Sequence, residues 1–300
     1  MRRILLTGVT GQVGWELHRT LMSLGEVIAV GRGVGNGGLQ VDLAQPDTIC
    51  RTLREVKPDL IVNAAAYTAV DRAEKEPELA MAINGIAPGV MAEEAKSLDA
   101  AIVHYSTDYV FDGTKTTPYT ELDRPDPQSI YGQTKLAGEQ AIAAVGVPHL
   151  IVRTSWVYGL RGKNFLLTMR KLAREREEIR VVDDQVGAPT WSRAIAEATA
   201  QTLSLAAHHG IDFLAAKSGI YHLSASGQTS WYGFAKAILA PELQSGEQRL
   251  QRLLPIPSEQ YPTPAKRPAY SLLSTRKLSD TFGLALPEWH SALDLVLDSN

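Results

Sequence analysis

The first half of the chain alternates short apolar runs with longer segments of helical periodicity, and few folds accommodate this alternation. The runs are rich in Ile, Val and Leu, and they comprise Ile4–Thr7, Val27–Val30, Leu60–Asn63 and Ile102–Tyr105. The segments between them repeat apolar residues every three or four positions and comprise Trp15–Leu24, Asp47–Val56 and Leu79–Leu98. Strands that alternate with helices form right-handed β-α-β units around a parallel sheet covered on both faces. We therefore predict an α/β fold with a doubly wound parallel sheet.

The same pattern continues into the second half and then loosens. A helix is predicted at Lys135–Val145 and a strand at His149–Thr154, and the regularity is lost after about Val157. Beyond that point, loops rich in Pro and Gly separate three helical segments, Phe165–Arg176, Arg193–Ala206 and Ser230–Leu239. We expect residues 1–157 to form the sheet domain and residues 158–300 to form a smaller lobe interleaved with that sheet.

The composition excludes several classes of protein. With 300 residues, of which 44% are hydrophobic, the chain can bury enough apolar surface to need no disulfide or metal for stability. A net charge of −3 and the lack of a basic stripe argue against a nucleic-acid binder. The only cysteine, Cys50, excludes an internal disulfide and a cysteine metal cluster. The N-terminal apolar run stops at Thr7, too early for a signal peptide, and no run is long enough to span a membrane, so we expect a cytoplasmic protein.

Three glycines follow the first predicted strand. Gly8, Gly11 and Gly14 have the spacing G-x-x-G-x-x-G and precede the first predicted helix. The first two allow a tight turn and a close approach of pyrophosphate to the backbone, and the third lets the helix pack closely on the strand. The free N–H groups of the helix N-terminus favour the phosphates. This position in a β-α-β chain predicts a dinucleotide cofactor, and so a Rossmann-like, NAD(P)-binding domain at residues 1–157.

The residues after the second and third predicted strands bear on the choice of cofactor. An NAD-dependent enzyme usually places an acidic residue after strand two for the ribose hydroxyls, and none is present. Arg32 stands there instead, either as a partner of a 2′-phosphate or as a solvated arginine in a Gly-rich loop. We expect NADPH, with NADH also open. Asp42, before Leu43, either meets the adenine amino group or caps the next helix, and the small Ala65 and Ala66 suit a backbone lying against a flat ligand.

Tyr131 and Lys135 are four residues apart, and on a helix two side chains with this spacing share one face. A tyrosine, with an ordinary pKa of about 10, can give a proton to a carbonyl only if its phenolate is stabilised. A neighbouring ammonium favours the phenolate, so we expect Lys135 to lower the pKa of Tyr131 and also to hold the nicotinamide ribose. Because this spacing is common by chance, the pair alone is weak evidence.

Thr107 strengthens that evidence. It stands at the carboxyl end of the fourth predicted strand, and open α/β sheets bind ligands at the carboxyl ends of their strands. Its hydroxyl is expected to polarise the carbonyl oxygen that Tyr131 protonates. The glycine turn, Thr107 and the Tyr131–Lys135 pair, in this order and spacing, predict reduction of a carbonyl by hydride transfer from a nicotinamide.

These motifs resemble those of the extended short-chain dehydrogenase/reductases, whose members use a Thr or Ser, a Tyr and a Lys. Four stretches are similar more narrowly to the dTDP-4-dehydrorhamnose reductase family, namely residues 62–66, 104–111, 153–158 and 184–190. The likeness extends from Arg3 to about Pro287. It implies reduction of dTDP-4-dehydro-L-rhamnose to dTDP-L-rhamnose, with a catalytic set of Thr107, Tyr131 and Lys135.

The resemblance also implies which residues surround the ligands. Together with those named above, the expected cofactor-binding set is Gly8, Thr10, Gly11, Gln12, Val13, Gly14, Arg32, Asp42, Leu43, Ala65, Ala66, Tyr67, Thr68, Tyr131 and Lys135. Thr107, Asp108, Tyr131 and Trp156 are implied at the sugar, with core packing at the end of a strand as the alternative role of Trp156. Asn164 and Arg267, in the smaller and substrate-binding lobe, are implied at the nucleotide diphosphate.

One departure from the family concerns metal. Some members bind magnesium at a dimer interface through three glutamates, of which only Glu16 is matched here. The other two positions fall on Arg193 and His290. An arginine is no ligand for a hard cation, which prefers several oxygens. We therefore expect no metal, and a monomer or weak homodimer.

Three other functions share parts of this pattern. A nucleotide-sugar 4,6-dehydratase needs an Asp-Glu acid–base pair after the threonine, whereas here Tyr109 follows Asp108. The segment at residues 184–190 argues against a 4-epimerase. A non-catalytic NADP-binding regulatory subunit, resembling that of methionine adenosyltransferase, has no need of the intact catalytic trio. We therefore expect an enzyme whose partner is a small-molecule nucleotide sugar, with no nucleic acid and no membrane involved.

Overall fold

The computed structural model describes residues 3–33, 39–209, 211–244 and 249–298. The Gly-rich segment that follows Arg32 lies mostly outside these residues. In chain order the strands are β1 (Arg3–Thr7), β2 (Glu26–Val30), β3 (Leu60–Asn63), β4 (Ala101–Thr107), β5 (His149–Thr154), β6 (Val157–Tyr158), β7 (Glu178–Val182), β8 (Val186–Gly187), β9 (Thr190–Trp191), β10 (Gly219–His222), β11 (Thr229–Ser230) and β12 (Arg252–Ile256).

The helices alternate with the strands of the first half and dominate the second. They are α1 (Gln12–Leu21), α2 (Pro46–Val56), α3 (Val70–Ala73), α4 (Pro77–Met81), α5 (Ala87–Ser97), α6 (Ile130–Val145), α7 (Phe165–Glu175), α8 (Ser192–His209), α9 (Ile211–Ala216), α10 (Trp231–Gln244), α11 (Arg276–Phe282) and α12 (Trp289–Asp298). No helix among the described residues is long and apolar enough to cross a membrane.

The central sheet has six parallel strands in the order β2-β1-β3-β4-β5-β10. Its strands are apolar on both faces because each face is covered by helices. Ile4 and Leu6 enter one core with α1 and α8, while Leu5, between them, enters the other core with α2 and α5. The strand order reverses between β1 and β3, which leaves a crevice at the carboxyl edge of the sheet. The predicted doubly wound α/β fold is confirmed.

One predicted helix is interrupted. The segment expected as a single helix at Leu79–Leu98 contains a π-helical turn, Ala82–Ile86, between α4 and α5. Pro88 has no N–H to donate to the carbonyl of Asn84, four residues earlier, so the regular ladder cannot continue there. Within this turn, the Asn84 side chain hydrogen-bonds the backbone of Tyr67 in the loop after β3.

The residues after 157 divide between two places. β10 joins β5 in the main sheet, and α8, α9 and α11 contribute to the core that packs on one of its faces. The remaining elements form a separate core under the β7–β12 pair, built around Tyr158, Leu166, Phe234 and Leu293. The boundary at residue 157, and the role of this lobe in binding substrate, stay predictions.

Candidate active site

The turn after β1 has a backbone that requires glycine. Gly8 has a φ of +76°, and a Cβ there would lie 2.5 Å from the carbonyl carbon of Ala64. A Cβ on Gly14 would collide with the carbonyl oxygen of Gly8, so α1 packs this closely only without a side chain. Gly11, the N-cap of α1, provides no capping side chain for the first N–H groups of the helix. The other predicted residues of this turn are Thr10, Gln12 and Val13.

The loop after β3 lies beside this turn and contains the predicted residues Ala65, Ala66, Tyr67 and Thr68. The Ala65 N–H lies 3.3 Å from both Thr7 Oγ1 and Asn63 Oδ1. The Tyr67 N–H donates to Asn84 Oδ1 over 2.8 Å, and Asn84 Nδ2 donates back to the Tyr67 carbonyl. Side chains from β1, β3 and the π-helical turn therefore fix the path of this loop.

The residues predicted around the adenosine lie at the end of β2 and before α2. Arg32 is exposed just beyond β2. Asp42 Oδ1 accepts from the Ala44 N–H over 3.0 Å, which closes a turn, while Gln45 is the N-cap of α2. The alternative in which Asp42 caps the helix is therefore wrong. The Leu43 side chain is buried in the core, so only its backbone is left to line a ligand.

Thr107 and Tyr131 meet at the carboxyl edge of the sheet. Thr107 is the buried last residue of β4, and its Oγ1 donates to Asp108 Oδ1 over 3.1 Å. Tyr131 lies in the first turn of α6, which starts there because Ser129 Oγ accepts from the Gly132 N–H. Burial raises the pKa of Tyr131 to about 12, although a hydrogen bond with the Thr107 hydroxyl opposes this. Tyr131 is therefore a protonated phenol at neutral pH.

The expectation that Lys135 lowers the pKa of Tyr131 is wrong for this structure. Lys135 Nζ donates to the Tyr105 carbonyl over 2.6 Å and lies 3.1 Å from His104 Nε2. Burial lowers the pKa of Lys135 to about 8, and the Glu139 carboxylate opposes this. The spacing places both side chains on one face of α6, but the buried Lys135 nitrogen takes its partners from β4 and not from the phenol.

Asp108 has a buried oxygen that is available to a ligand. Its Oδ2 is buried and has no hydrogen-bond partner among the described residues. Burial raises the pKa of Asp108 to about 6, while hydrogen bonds with Ser271 and Thr107 oppose this. Buried polar atoms are normally hydrogen-bonded. An unpaired carboxylate oxygen directly after Thr107 therefore indicates a place for a polar group of the substrate.

Trp156 is held in a strained conformation just after β5. Its φ of +45° is rare for a bulky residue. Its indole stacks on Trp231 with 3.6 Å between ring centroids and 4° between planes, and a Cβ on Gly187 would collide with it. Phe165 packs against Trp231, with 4.6 Å between the ring centroids. Sequence reasoning missed Trp231, because only its stacking partner, 75 positions earlier, distinguishes it from an ordinary core aromatic residue.

Both residues predicted at the diphosphate are engaged with protein groups. Asn164 Oδ1 accepts from the Leu167 N–H at the start of α7, and its Nδ2 donates to Gln12 Oε1 over 2.9 Å. Arg267 donates to both carboxylate oxygens of Asp71, over 2.7 and 3.1 Å. Asn164 is thus placed against the glycine turn, and Arg267 against the helix that follows the β3 loop. Their contact with a ligand stays a prediction.

A buried ion pair between Arg153 and Glu139, which the sequence did not indicate, lies next to the candidate site. Arg153 donates to the two carboxylate oxygens of Glu139 over 2.9 and 2.6 Å, and the two side chains are 1% and 2% exposed. Ser106 Oγ donates to the same carboxylate, and the Arg153 guanidinium lies 5.0 Å from the Phe111 ring centroid. Because Ser106 precedes Thr107, this network fixes the end of β4 against α6.

The residues at the family's metal positions contact other charged side chains. Glu16 pairs with Arg19 over 3.2 Å and lies 3.7 Å from Arg193 Nε. His290 Nδ1 lies 3.4 Å from an Asp294 oxygen. In the part of the chain that the structure describes, no group of three His, Cys, Asp or Glu side chains could hold a metal ion. The expected absence of a metal stays a prediction.

Solved structures with this fold include several reductases. A dTDP-4-dehydrorhamnose reductase from Clostridium acetobutylicum superposes with a TM-score of 0.88 at 37% identity, covering 99% of each chain. The enzyme from Bacillus anthracis strain Ames, solved in complex with NADP, gives a TM-score of 0.88 at 33% identity over the whole of both chains. A UDP-glucose 4-epimerase from Thermus thermophilus, 19% identical, shares the fold alone, with a TM-score of 0.79.

The sequence comparisons identify the family more specifically than the shared fold does. The family described as RmlD substrate binding domain matches residues 1–300. A dTDP-4-dehydrorhamnose reductase from Burkholderia thailandensis is 49% identical over 298 residues, 98% of each chain. One from Escherichia coli K12 is 44% identical over 98% of this chain and 97% of its own. The resemblance that the motifs carry is confirmed, and this chain belongs to the dTDP-4-dehydrorhamnose reductase family.

Proposed function

We propose that this chain reduces dTDP-4-dehydro-L-rhamnose to dTDP-L-rhamnose, with NADPH as the reductant. The observation that carries the proposal is the Tyr131 phenol beside the Thr107 hydroxyl at the carboxyl edge of the sheet, close enough for Thr107 to oppose the rise in the Tyr131 pKa. The pair and the glycine turn share this edge, where open α/β sheets bind ligands next to the reversal of strand order. Relatives named for this reaction, and the related structure in complex with NADP, support the choice of substrate and cofactor.

The residues of the glycine turn fit a dinucleotide. Gly8 and Gly14 let the turn pack closely against the loop after β3 and against the start of α1, and the N-terminus of α1 offers N–H groups to phosphates. We assign Arg32 to the 2′-phosphate. The remaining cofactor contacts are assigned to Gly8, Thr10, Gly11, Gln12, Val13, Gly14, Asp42, Leu43, Ala65, Ala66, Tyr67 and Thr68. When bound, NADPH supplies the hydride.

Tyr131 holds the proton that the carbonyl oxygen of the substrate needs. Its raised pKa keeps the phenol protonated at neutral pH, so the residue is ready to act as a general acid. The neighbouring Thr107 hydroxyl, once it has turned from Asp108 Oδ1, donates to the same oxygen and stabilises the negative charge that develops on it. Lys135 is assigned to the nicotinamide ribose and to the phenolate left by proton transfer. This assignment requires Nζ to turn from the Tyr105 carbonyl towards Tyr131.

Two side chains are assigned to the sugar itself. Asp108 Oδ2, buried and unpaired among the described residues, accepts from a sugar hydroxyl. Trp156 provides a rigid wall, because Trp231 and Gly187 enclose its indole. Asn164 and Arg267, from the smaller lobe at residues 158–300, are assigned to the diphosphate. Arg267 keeps its bond to Asp71 and donates from its remaining N–H groups.

The competing function is a non-catalytic NADP-binding regulatory subunit. The test is anaerobic incubation of the protein with NADPH and dTDP-4-dehydro-L-rhamnose, following cofactor absorbance. The reductase consumes NADPH only with the keto-sugar and leaves dTDP-glucose unchanged, because Tyr109 replaces the glutamate that dehydration needs. Tight NADPH binding without turnover in folded protein, and capture of a partner enzyme, would instead support the regulatory subunit.

Arg32 is expected to determine the preference for NADPH. Replacing it by Ala removes the guanidinium that would pair with the 2′-phosphate, so the Michaelis constant for NADPH should rise by about tenfold, the cost of one exposed charged hydrogen bond. The constant for NADH should change little. Steady-state kinetics with both cofactors measure this. An equal effect on the two constants would show that Arg32 does not contact the 2′-phosphate.

Turnover is expected to survive removal of divalent metal. Glu16 is already paired with Arg19 and near Arg193, so a cation would have to compete with two guanidinium groups for one carboxylate. Activity measured after dialysis against EDTA should equal that of untreated protein. Activity that falls in EDTA and returns with magnesium would contradict this expectation. The monomer or weak homodimer and the cytoplasmic location stay predictions.

A further inference from the structure

A row of buried polar side chains crosses the sheet beneath the candidate site. Thr7, Asn63 and His104 occupy paired positions on the adjacent strands β1, β3 and β4. Thr7 Oγ1 lies 2.7 Å from Asn63 Oδ1, and Asn63 Nδ2 lies 3.0 Å from His104 Nδ1. His104 Nε2 lies 3.1 Å from Lys135 Nζ, and all four residues are at most 2% exposed. Hydride transfer as proposed above uses Lys135 but neither Asn63 nor His104.

The position of the His104 ring proton, and so the direction of the hydrogen bonds in this row, depends on the charge of Lys135. Burial, and then the nearby Lys135, keep the pKa of His104 well below its usual value, so the ring is neutral with a single N–H. With Asn63 Nδ2 donating to Nδ1, that proton is on Nε2 and points at Lys135 Nζ. Only an uncharged amine has the lone pair to accept it.

The charged lysine requires the opposite arrangement. An ammonium donates to His104 Nε2, so the ring proton moves to Nδ1 and donates to Asn63 Oδ1 once the amide has turned over. Asn63 Nδ2 then donates to Thr7 Oγ1. The Ala65 N–H lies 3.3 Å from both Thr7 Oγ1 and Asn63 Oδ1, so it keeps an acceptor in either direction.

We propose that Asn63 and His104 are positioning residues for Lys135, and that their hydrogen bonds reverse direction when Lys135 loses or regains a proton. The balance is one proton: an ammonium and an Nδ1–H imidazole become an amine, an Nε2–H imidazole and a proton released to solvent. In the protein without substrate or cofactor, Lys135 donates to the Tyr105 carbonyl in both states. The buried lysine thus changes charge while each side chain of the row keeps at least one hydrogen bond.

The charged groups around Lys135 are compatible with such a change. On α6, Glu139 favours the ammonium, but Arg153 of β5 binds both oxygens of its carboxylate. Tyr131, one turn before Lys135, is a neutral phenol at neutral pH. On β4 the contacting groups are His104, neutral throughout, and a backbone carbonyl. Among these groups, all in the part of the chain that the structure describes, the row alone needs to rearrange.

Nitrogen NMR of the protein labelled with ¹⁵N-histidine tests the proposal without substrate or cofactor. His104 is assigned among the seven histidines by ring-to-backbone correlations and by the loss of its signals in His104→Gln. Between pH 6 and 10 the ring should change from the Nδ1–H to the Nε2–H tautomer, with a midpoint near the lysine pKa of about 8. A single tautomer throughout, or an imidazolium, would overturn the proposal, as would a change that persists in Lys135→Met.

A kinetic arm, which rests on the proposed function, compares two substitutions of His104. His104→Leu removes the acceptor for the ammonium, so the fall of kcat at high pH should move about one pH unit lower, a tenfold loss in proton affinity. His104→Gln offers an amide that can donate or accept, and should restore the wild-type limb. Equal pH profiles for His104→Leu and wild type would count against the proposal. Absence of turnover in wild type would refute the function but leave the NMR result standing.

Discussion

Tyr131→Phe is expected to lower turnover of the keto-sugar by roughly two to four orders of magnitude while leaving the affinity for NADPH unchanged. The substitution removes only the hydroxyl that holds the proton for the carbonyl oxygen. The ring, its edge contact with Tyr109 at 5.5 Å and the start of α6 should all remain. Single-turnover kinetics separate the chemical step from binding, and fluorescence titration gives the NADPH affinity.

The matched control for this prediction is Tyr221→Phe. Tyr221 is also buried, but its hydroxyl donates to the Lys217 carbonyl in the core on one face of the sheet. Its loss should cost about 1 kcal/mol of stability and leave turnover within a factor of a few. Wild-type turnover in Tyr131→Phe, or an equal loss in both variants, would refute the role given to Tyr131.

Glu139→Ala is expected to lower the free energy of unfolding by about 3–5 kcal/mol. The substitution leaves the Arg153 guanidinium buried without its partner, and Ser106 also loses its acceptor. Denaturant unfolding followed by circular dichroism measures the change. Glu139→Gln should lose less, because an amide oxygen can still accept from Arg153.

Glu175→Ala is the control variant, because it removes the same side chain from an ion pair that is exposed and not buried. Glu175 makes an ion pair with Lys171 at 3.9 Å on α7, and the side chains are 53% and 73% exposed. Exposed pairs of this kind contribute less than about 1 kcal/mol to the free energy of unfolding, so the denaturation midpoint of Glu175→Ala should stay close to that of the wild type. A small effect of Glu139→Ala, comparable to that of Glu175→Ala, would show that the buried pair does not hold β4 against α6.

The strands could be predicted closely from the sequence because their signal is local. The run at residues 60–63 and the segment at 149–154 match β3 and β5 to the residue. Helix starts were less predictable. α6 begins at Ile130, five residues before the predicted start, because the Ser129 cap and not the apolar periodicity decides where it begins. The π-helical turn before α5 depends on Pro88 and was not predicted either.

In the candidate site, too, the residues with a local sequence signal could be predicted and those without one could not. The glycine turn, Thr107 and Tyr131 could be found because each follows a strand or lies at a fixed helical spacing. The partners of these residues could not. Trp231 stacks on Trp156, which is 75 positions away, and Arg267 pairs with Asp71, which is 196 positions away. Nothing in the local sequence predicts such pairs. Lys135 shows the same limit, since its spacing fixed the helix face but not its contact with β4.

The central claim, that this chain reduces the keto group with hydride from NADPH, is tested most directly by isotope transfer. The protein is incubated with dTDP-4-dehydro-L-rhamnose and NADPH deuterated at the transferred position, and the sugar is analysed by mass spectrometry and NMR. We predict dTDP-L-rhamnose with one deuterium, located at C4, and one equivalent of oxidised cofactor. A product without deuterium at C4 would contradict this claim. So would NADPH that stays unoxidised when the protein is correctly folded and carries Tyr131.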